Sequence, residues 1–130
     1  MVYVLEVANG NYVPGTGDDE DNGVASFEVT SPASRQINAR LTLDESMGGT
    51  VDFTLQASSD NGQTWNKVGS TKNIPIFNNV ADTNNTSYGQ SADNFVNLPS
   101  GGLFRVVADV KDSNGRIVIA GVESDSIYCQ

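Results

Sequence analysis

Residues 51–68 read Val-Asp-Phe-Thr-Leu-Gln-Ala-Ser-Ser-Asp-Asn-Gly-Gln-Thr-Trp-Asn-Lys-Val, and this stretch decides the fold. In its first half apolar residues alternate with polar ones, a period of two that is typical of a β-strand with one buried face and one wet face. Asn61-Gly62 then separates two strand-like segments, and this dipeptide is the strongest short-range signal of a hairpin turn. We therefore predict an antiparallel hairpin whose single tryptophan, Trp65, is buried against the apolar face.

The same alternation recurs along the rest of the chain, separated by turns rich in Gly, Asn, Asp, Ser and Pro. No stretch has apolar residues at the spacing of a helix. The further segments that we predict as strands are 1–8, 24–30, 37–43, 95–98, 103–110, 116–122 and 127–129, whereas Pro75 confines 73–77 to an edge strand or an extended loop. One wet face per strand is typical of antiparallel sheets. We predict an all-β chain in which residues 1–130 form one domain, an antiparallel β-sandwich of the Ig-like or jelly-roll kind with one long loop.

That long loop is predicted over residues 78–94, which are rich in Asn, Ser and Thr. A loop of this length inside a compact domain usually binds something or moves. Tyr88 is the only aromatic residue in its middle. It is either an exposed contact residue or a side chain that holds the loop against its own domain.

An acidic run at residues 18–21 gives the one pattern that resembles a metal site. Asp18, Glu20 and Asn22 stand at alternate positions before Gly23, as in the first half of an EF-hand calcium loop. The twelfth position, however, is Val29 instead of a bidentate Glu, and no helix flanks the run. Calcium ligation and a solvated loop tip both remain open for these residues.

Composition argues against several classes of function. The formal net charge is −9, from seven basic and 16 acidic residues, so the mean field repels nucleic acid and anionic membranes. The chain has no His and a single Cys, Cys129, which removes the usual triads and the commonest zinc ligand. Two of the acidic residues could in principle serve as the catalytic carboxylates of a glycosidase. Most of them, however, are predicted in turns or at outward strand positions, where solvent exposure explains them. We expect no enzyme and no cofactor.

No apolar run approaches the length of a membrane span, and no signal peptide is visible. We therefore expect a chain that is made and folded in a cytoplasm.

The hairpin turn carries a resemblance to a known motif. Residues 58–65 resemble the Asp-box, Ser-x-Asp-x-Gly-x-Thr-Trp, of sialidase propeller blades and many non-enzymatic β-proteins. The matching residues are Ser58, Asp60, Gly62, Thr64 and Trp65. The resemblance implies that the Asp caps the turn by accepting backbone hydrogen bonds and that the aromatic residue packs inward. The implied role is structural, and one box in a short chain excludes a sialidase propeller.

The wider pattern is similar to the small accessory virion proteins of tailed bacteriophages, on a strand of the 49–57 type that leads into the turn and a strand of the 103–110 type. This resemblance implies a structural protein of the virion, made in the host cytoplasm, that decorates or cements the capsid exterior or serves the tail. Its partners would be other virion proteins. The doubly apolar segment 2–7 also suggests a homo-oligomer, because such a strand needs cover on both faces.

A carbohydrate-binding or adhesion module is the alternative from another class. Such a site requires exposed aromatic side chains beside polar hydrogen-bonding groups. The candidates are Tyr12, Tyr88 and Tyr128, with Trp65 as the best platform if its ring is exposed. A glycan screen together with tryptophan fluorescence separates this alternative from the structural one.

Overall fold

A computed structural model of the chain describes residues 3–4, 23–30, 35–84, 86, 89, 91–99 and 101–129. The described residues form ten strands and no helix. The strands are β1 (Tyr3–Val4), β2 (Val24–Thr30), β3 (Asn38–Leu43), β4 (Thr50–Ser58), β5 (Asn66–Lys67), β6 (Lys72–Pro75), β7 (Val80–Asp82), β8 (Leu103–Lys111), β9 (Ile117–Glu123) and β10 (Ile127–Cys129).

The larger, seven-stranded sheet is built on the antiparallel pair β4 and β8. These two strands pair along their full length, from Thr50 opposite Lys111 to Ser58 opposite Leu103. On its other side β4 pairs with β6 near its start and with β5 near its end. The far side of β8 is likewise shared by β9 and β10, and β1 pairs with β10.

The smaller sheet has the order β2-β3-β7, again antiparallel. The two sheets pack through their apolar faces around one continuous core, in which the rings of Phe27 and Phe53 lie 5.9 Å apart. This arrangement confirms the predicted all-β, antiparallel β-sandwich.

The period of two in the sequence explains which face of each strand is buried. Along β8 the side chains of Phe104, Val106, Ala108 and Val110 are buried, and the residues between them are half-buried on the outer face. Strand β4 follows the same rule from Val51 to Leu55, and these buried residues stand opposite those of β8. The outer face of the central strand pair is therefore mostly polar and open to contact.

Two sequence predictions need correction. The loop predicted over residues 78–94 contains a strand, since Val80–Asp82 pairs with β3 and buries Ala81. Three residues are too short for an alternation pattern to be visible among so many polar neighbours. The strand predicted at residues 95–98 is reduced to a single bridge between Phe95 and Ile37.

Candidate functional site

The turn after β4 is a closed network of hydrogen bonds around Ser58 and Asp60. The Ser58 hydroxyl accepts the N–H of Gly62 at 2.8 Å and donates to Oδ1 of Asp60 at 2.7 Å. Asn61 and Gly62 both have positive φ, 65° and 90°, which is the conformation that an Asn-Gly pair tolerates. The turn therefore has the residues that its backbone requires.

Asp60 holds the far side of the turn through Thr64. Its Oδ1 accepts the Thr64 N–H at 2.8 Å, and its Oδ2 accepts the Thr64 hydroxyl at 2.6 Å. The hydrogen bond from that hydroxyl, the bond from the Thr64 backbone and the bond from Ser58 lower the pKa of Asp60 from 3.8 to about 2. Both oxygens of this carboxylate are therefore engaged in hydrogen bonds within the turn.

The tryptophan lies on the opposite face of the sheet from the one that we predicted. Asn66 pairs with Ala57, whose side chain packs against the core, so the residue before Asn66 points to the outer face. Trp65 is accordingly half-buried and is not part of the core. The resemblance to the Asp-box implied inward packing, and the register of β5 against β4 explains the difference.

The Trp65 ring packs on Arg105 of β8, whose guanidinium carbon lies 4.3 Å from the ring centre. Arg105 also donates from Nε to Gln56 at 2.8 Å and from Nη1 to Glu123 at 2.9 Å. The residues that hold the guanidinium thus come from β4, from β9 and from the hairpin turn. We call these four side chains, Trp65, Arg105, Gln56 and Glu123, the Trp–Arg cluster.

Further along the same face, Asp52 stands opposite Asp109 on the paired strands. The repulsion between them is offset, because Lys111 lies 2.7 Å from Asp52 and Asp109 accepts the N–H of Gly121 at 2.9 Å. Partial burial raises the pKa of Asp52, but hydrogen bonds from Asn73 and Lys111 and the charge of Lys111 outweigh it and leave this pKa below its usual value. Asp52 is therefore stabilised as a charged group, and Asp109 is tied to β9 by its hydrogen bond from Gly121.

The base of the segment between β7 and Phe95 is closed by a buried hydroxyl. Oγ1 of Thr83 accepts the N–H of Ala39 at 3.0 Å and lies within 2.9 Å of Oδ1 of both Asn38 and Asn94. The N–H of Asp93 donates to the Thr83 carbonyl at 2.6 Å. The two ends of this segment are therefore joined to each other and to β3.

Several residues singled out in the sequence lie outside the described residues. They are the calcium candidates Asp18, Glu20 and Asn22, the contact candidate Tyr88, and Tyr12. Most of the strand predicted at residues 1–8 lies there too, since only Tyr3–Val4 is described. Their roles remain predictions. Tyr128, by contrast, is described and is 47% exposed on the outer face beside Leu103.

Arg105 was not among the site residues predicted from the sequence. The signal was an outward-facing arginine in a predicted strand, but its importance depends on the register of β8 against β4. That register brings together residues 49 positions apart, Gln56 and Arg105, and no local pattern specifies it. A site built across strands is therefore visible only in the folded chain.

The chain matches no protein-family model, no curated protein and no solved structure. Within the part of the chain that the structure describes, no helix is long and apolar enough to cross a membrane. The same residues contain no group of three or more His, Cys, Asp or Glu side chains that could hold a metal ion. Function must therefore be inferred from the geometry of the described strands and turns.

Proposed function

We propose that this chain is a non-enzymatic structural protein of a bacteriophage particle, which decorates or cements the capsid exterior through contacts between subunits. The observation that carries the proposal is the end strand of the smaller sheet. Along β2, residues Ser26 to Thr30 pair with β3 and with no other described strand. An end strand offers main-chain N–H and C=O groups to a strand of a neighbouring subunit.

The amino-acid composition of β2 suits such a contact better than the composition of β6, a strand at the margin of the larger sheet. In many proteins, Lys and Pro residues on an end strand prevent it from pairing with a strand of another molecule. Strand β6 at the margin of the larger sheet has both, as Lys72 and Pro75, whereas the β2 sequence Val-Ala-Ser-Phe-Glu-Val-Thr has neither. The seven residues of β2 are also long enough for a neighbouring strand to pair in a defined register.

The setting on a phage particle rests on the resemblance of residues 49–65 and 103–110 to accessory virion proteins. The net charge of −9 supports an exterior position, because a strongly negative surface is repelled by packaged DNA. A structural contact protein also needs rigid strands behind its contact surface. The full-length pairing of β4 with β8 provides that support.

The proposal is tested by cosedimentation of the full chain with phage capsids from which the exterior accessory proteins have been stripped. We expect saturable binding at a fixed ratio of chain to capsid subunit. Binding to isolated tails but not to capsids would move the proposal to a tail accessory role. Absence of binding to both particles at every salt concentration would overturn it.

A pair of lysine substitutions tests the role of β2 itself. Thr30 is exposed at the end of β2, and Thr30→Lys places a charge that opposes strand addition there. Ser113→Lys adds the same charge at an exposed turn position far along the chain. We expect Thr30→Lys to weaken capsid binding at least tenfold relative to Ser113→Lys, and equal binding of the two variants would contradict the assignment of the contact to β2.

A further inference from the structure

We propose that the outer face of the seven-stranded sheet carries a binding site for a neutral oligosaccharide, formed by Trp65, Leu103 and Tyr128 beside the other three residues of the Trp–Arg cluster. This inference does not rest on the proposed function, because it concerns the other sheet.

The first observation is that three apolar side chains lie in one row across the outer face, which is interrupted at β4 by the polar residue Ser58. Tyr128 stands opposite Leu103, and Leu103 stands opposite Ser58. Trp65 is one residue before Asn66, which pairs with Ala57, so it extends the same row from the hairpin. The row spans three interstrand spacings, or about 14 Å, from β5 to β10.

The second observation is that the aromatic rings at the two ends of the row are accessible. Tyr128 is 47% exposed, and Trp65 is half-buried. Because the Arg105 guanidinium covers one face of the indole ring, a sugar would have to stack on the opposite face. The C–H faces of pyranose rings stack on such surfaces, and a linear chain of several rings matches an extended row of this kind better than a compact ligand does.

The third observation is a set of polar groups held in fixed positions next to the row. Arg105 bonds to Gln56 and Glu123, and these two bonds use two of the five N–H donors of the guanidinium. Groups held by neighbours lose little entropy when a ligand binds. Sugar hydroxyls both donate and accept hydrogen bonds, so the Gln56 amide and the Arg105 N–H groups can serve them.

Electrostatics selects the class of sugar. The charges of Arg105 and Glu123 offset each other within the cluster, where their side chains form an ion pair 2.9 Å long. The net charge of −9 repels sulfated or sialylated chains. A neutral oligosaccharide is therefore the ligand that fits both the row and its surroundings.

The test uses the full chain, and the single tryptophan gives one indole N–H signal in a two-dimensional ¹H–¹⁵N NMR spectrum. The probes are cellohexaose, maltohexaose and mannohexaose, with a sulfated heparin oligosaccharide as the charged comparison. We expect at least one neutral probe to shift the indole signal and the amides of Leu103 and Tyr128 in a saturable way. We expect the sulfated probe to leave them unchanged.

Matched alanine variants separate the row from exposed apolar surface in general. Tyr128→Ala removes one end of the row, and Ile117→Ala removes a side chain of similar exposure, 53%, near the remote end of β8. We expect Tyr128→Ala to weaken binding about tenfold, the cost of losing one stacking contact, while Ile117→Ala binds normally. Thermal melts of both variants verify that they are folded.

Three results would overturn the inference. One is that no neutral probe shifts the indole signal at millimolar concentration. Another is that Tyr128→Ala and Ile117→Ala bind alike. The third is that the same signals move with protein concentration and not with sugar, which would make the row a contact between copies of the chain. None of these results bears on capsid binding through β2, so the two proposals fail independently.

Discussion

The guanidinium carbon of Arg105 lies 4.3 Å from the centre of the Trp65 ring, on the outer face of the larger sheet. Trp65 directly precedes β5, and β4 lies between β5 and β8 in the sheet. The contact therefore reaches across β4 to β8. A cation over an indole face is favourable by about 0.5–1 kcal/mol at exposed sites and by about 2 kcal/mol when desolvated. The β4–β5 hairpin is therefore held by the hydrogen bonds of its own turn and also by the contact with Arg105 on β8.

We expect the two side chains to be energetically coupled. A double-mutant cycle of Trp65→Ala and Arg105→Ala, measured by urea denaturation, should give a coupling free energy of about 1 kcal/mol. A second cycle that combines Gln56→Ala with Trp65→Ala is the comparison, since Gln56 accepts a hydrogen bond from Nε of Arg105. Additive effects of Trp65→Ala and Arg105→Ala would show that the stacking geometry contributes no stability.

Asp60 should make the stability of the turn depend on pH below 4. Its folded pKa of about 2 lies below the ordinary value of 3.8, so its contribution is complete above 3.8 and is lost as the pH falls through about 2. We expect a carboxyl ¹³C titration of Asp60 with a midpoint near 2. We also expect Asp60→Asn to be less stable than the parent chain at neutral pH, with the difference narrowing in acid.

A constant difference between parent and Asp60→Asn from pH 7 to pH 2 would contradict this linkage. Asp44→Asn is the matched control, because Asp44 is exposed and outside the turn. Measured beside Asp60→Asn, it reports the effect of an Asp→Asn change at an exposed position outside the turn.

The sequence was sufficient to predict the features that depend on neighbouring residues. Alternation placed β2 at the residues observed, and Asn61-Gly62 marked the turn correctly, because both signals are local. The pairing of β4 with β8 connects residues about 50 positions apart, and only the shared burial of both strands selects it. Local patterns therefore predicted most of the strands and the sandwich, but not β7 and not the order of the strands.

The face on which Trp65 lies shows why the site was harder to predict than the fold. A shift of one residue in the pairing of β5 would turn this ring from the outer face to the inner one. The apolar character of tryptophan favoured the core, but the Asn66–Ala57 pairing decides its side of the sheet. Register is a property of the assembled sheet, so the residues of the Trp–Arg cluster were not recognisable as a group.

Gly49 should be the least replaceable of the described glycines. Its φ is +126°, and a Cβ there would lie 2.0 Å from the carbonyl oxygen of Lys111 on the paired strand β8. We expect Gly49→Ala to lower the free energy of unfolding by about 3 kcal/mol or more, because backbone and neighbouring strand must both move. Guanidinium denaturation measures the loss.

Gly69 is the matched control for this substitution. It also has a positive φ, +69°, but a Cβ there would meet nothing within 4 Å. Gly69→Ala should cost only about 1–2 kcal/mol, the strain of a left-handed conformation. Equal losses for the two variants would show that backbone conformation, and not the close approach of β8, limits position 49.

Thr83 should stabilise the smaller sheet through its hydroxyl and not through its methyl group. The side chain is fully buried, and its Oγ1 is the acceptor for the N–H of Ala39 on β3. Thr83→Val keeps the shape but leaves that N–H without its acceptor, at a cost of about 1–3 kcal/mol. Thr83→Ser keeps the hydroxyl and loses one methyl group, which costs about 1 kcal/mol. Denaturation should therefore give Thr83→Val a lower free energy of unfolding than Thr83→Ser. Hydrogen exchange at the Ala39 amide should accelerate only in Thr83→Val. The opposite ranking would mean that packing of the methyl group, and not the hydroxyl, joins β3 to the residues that follow β7.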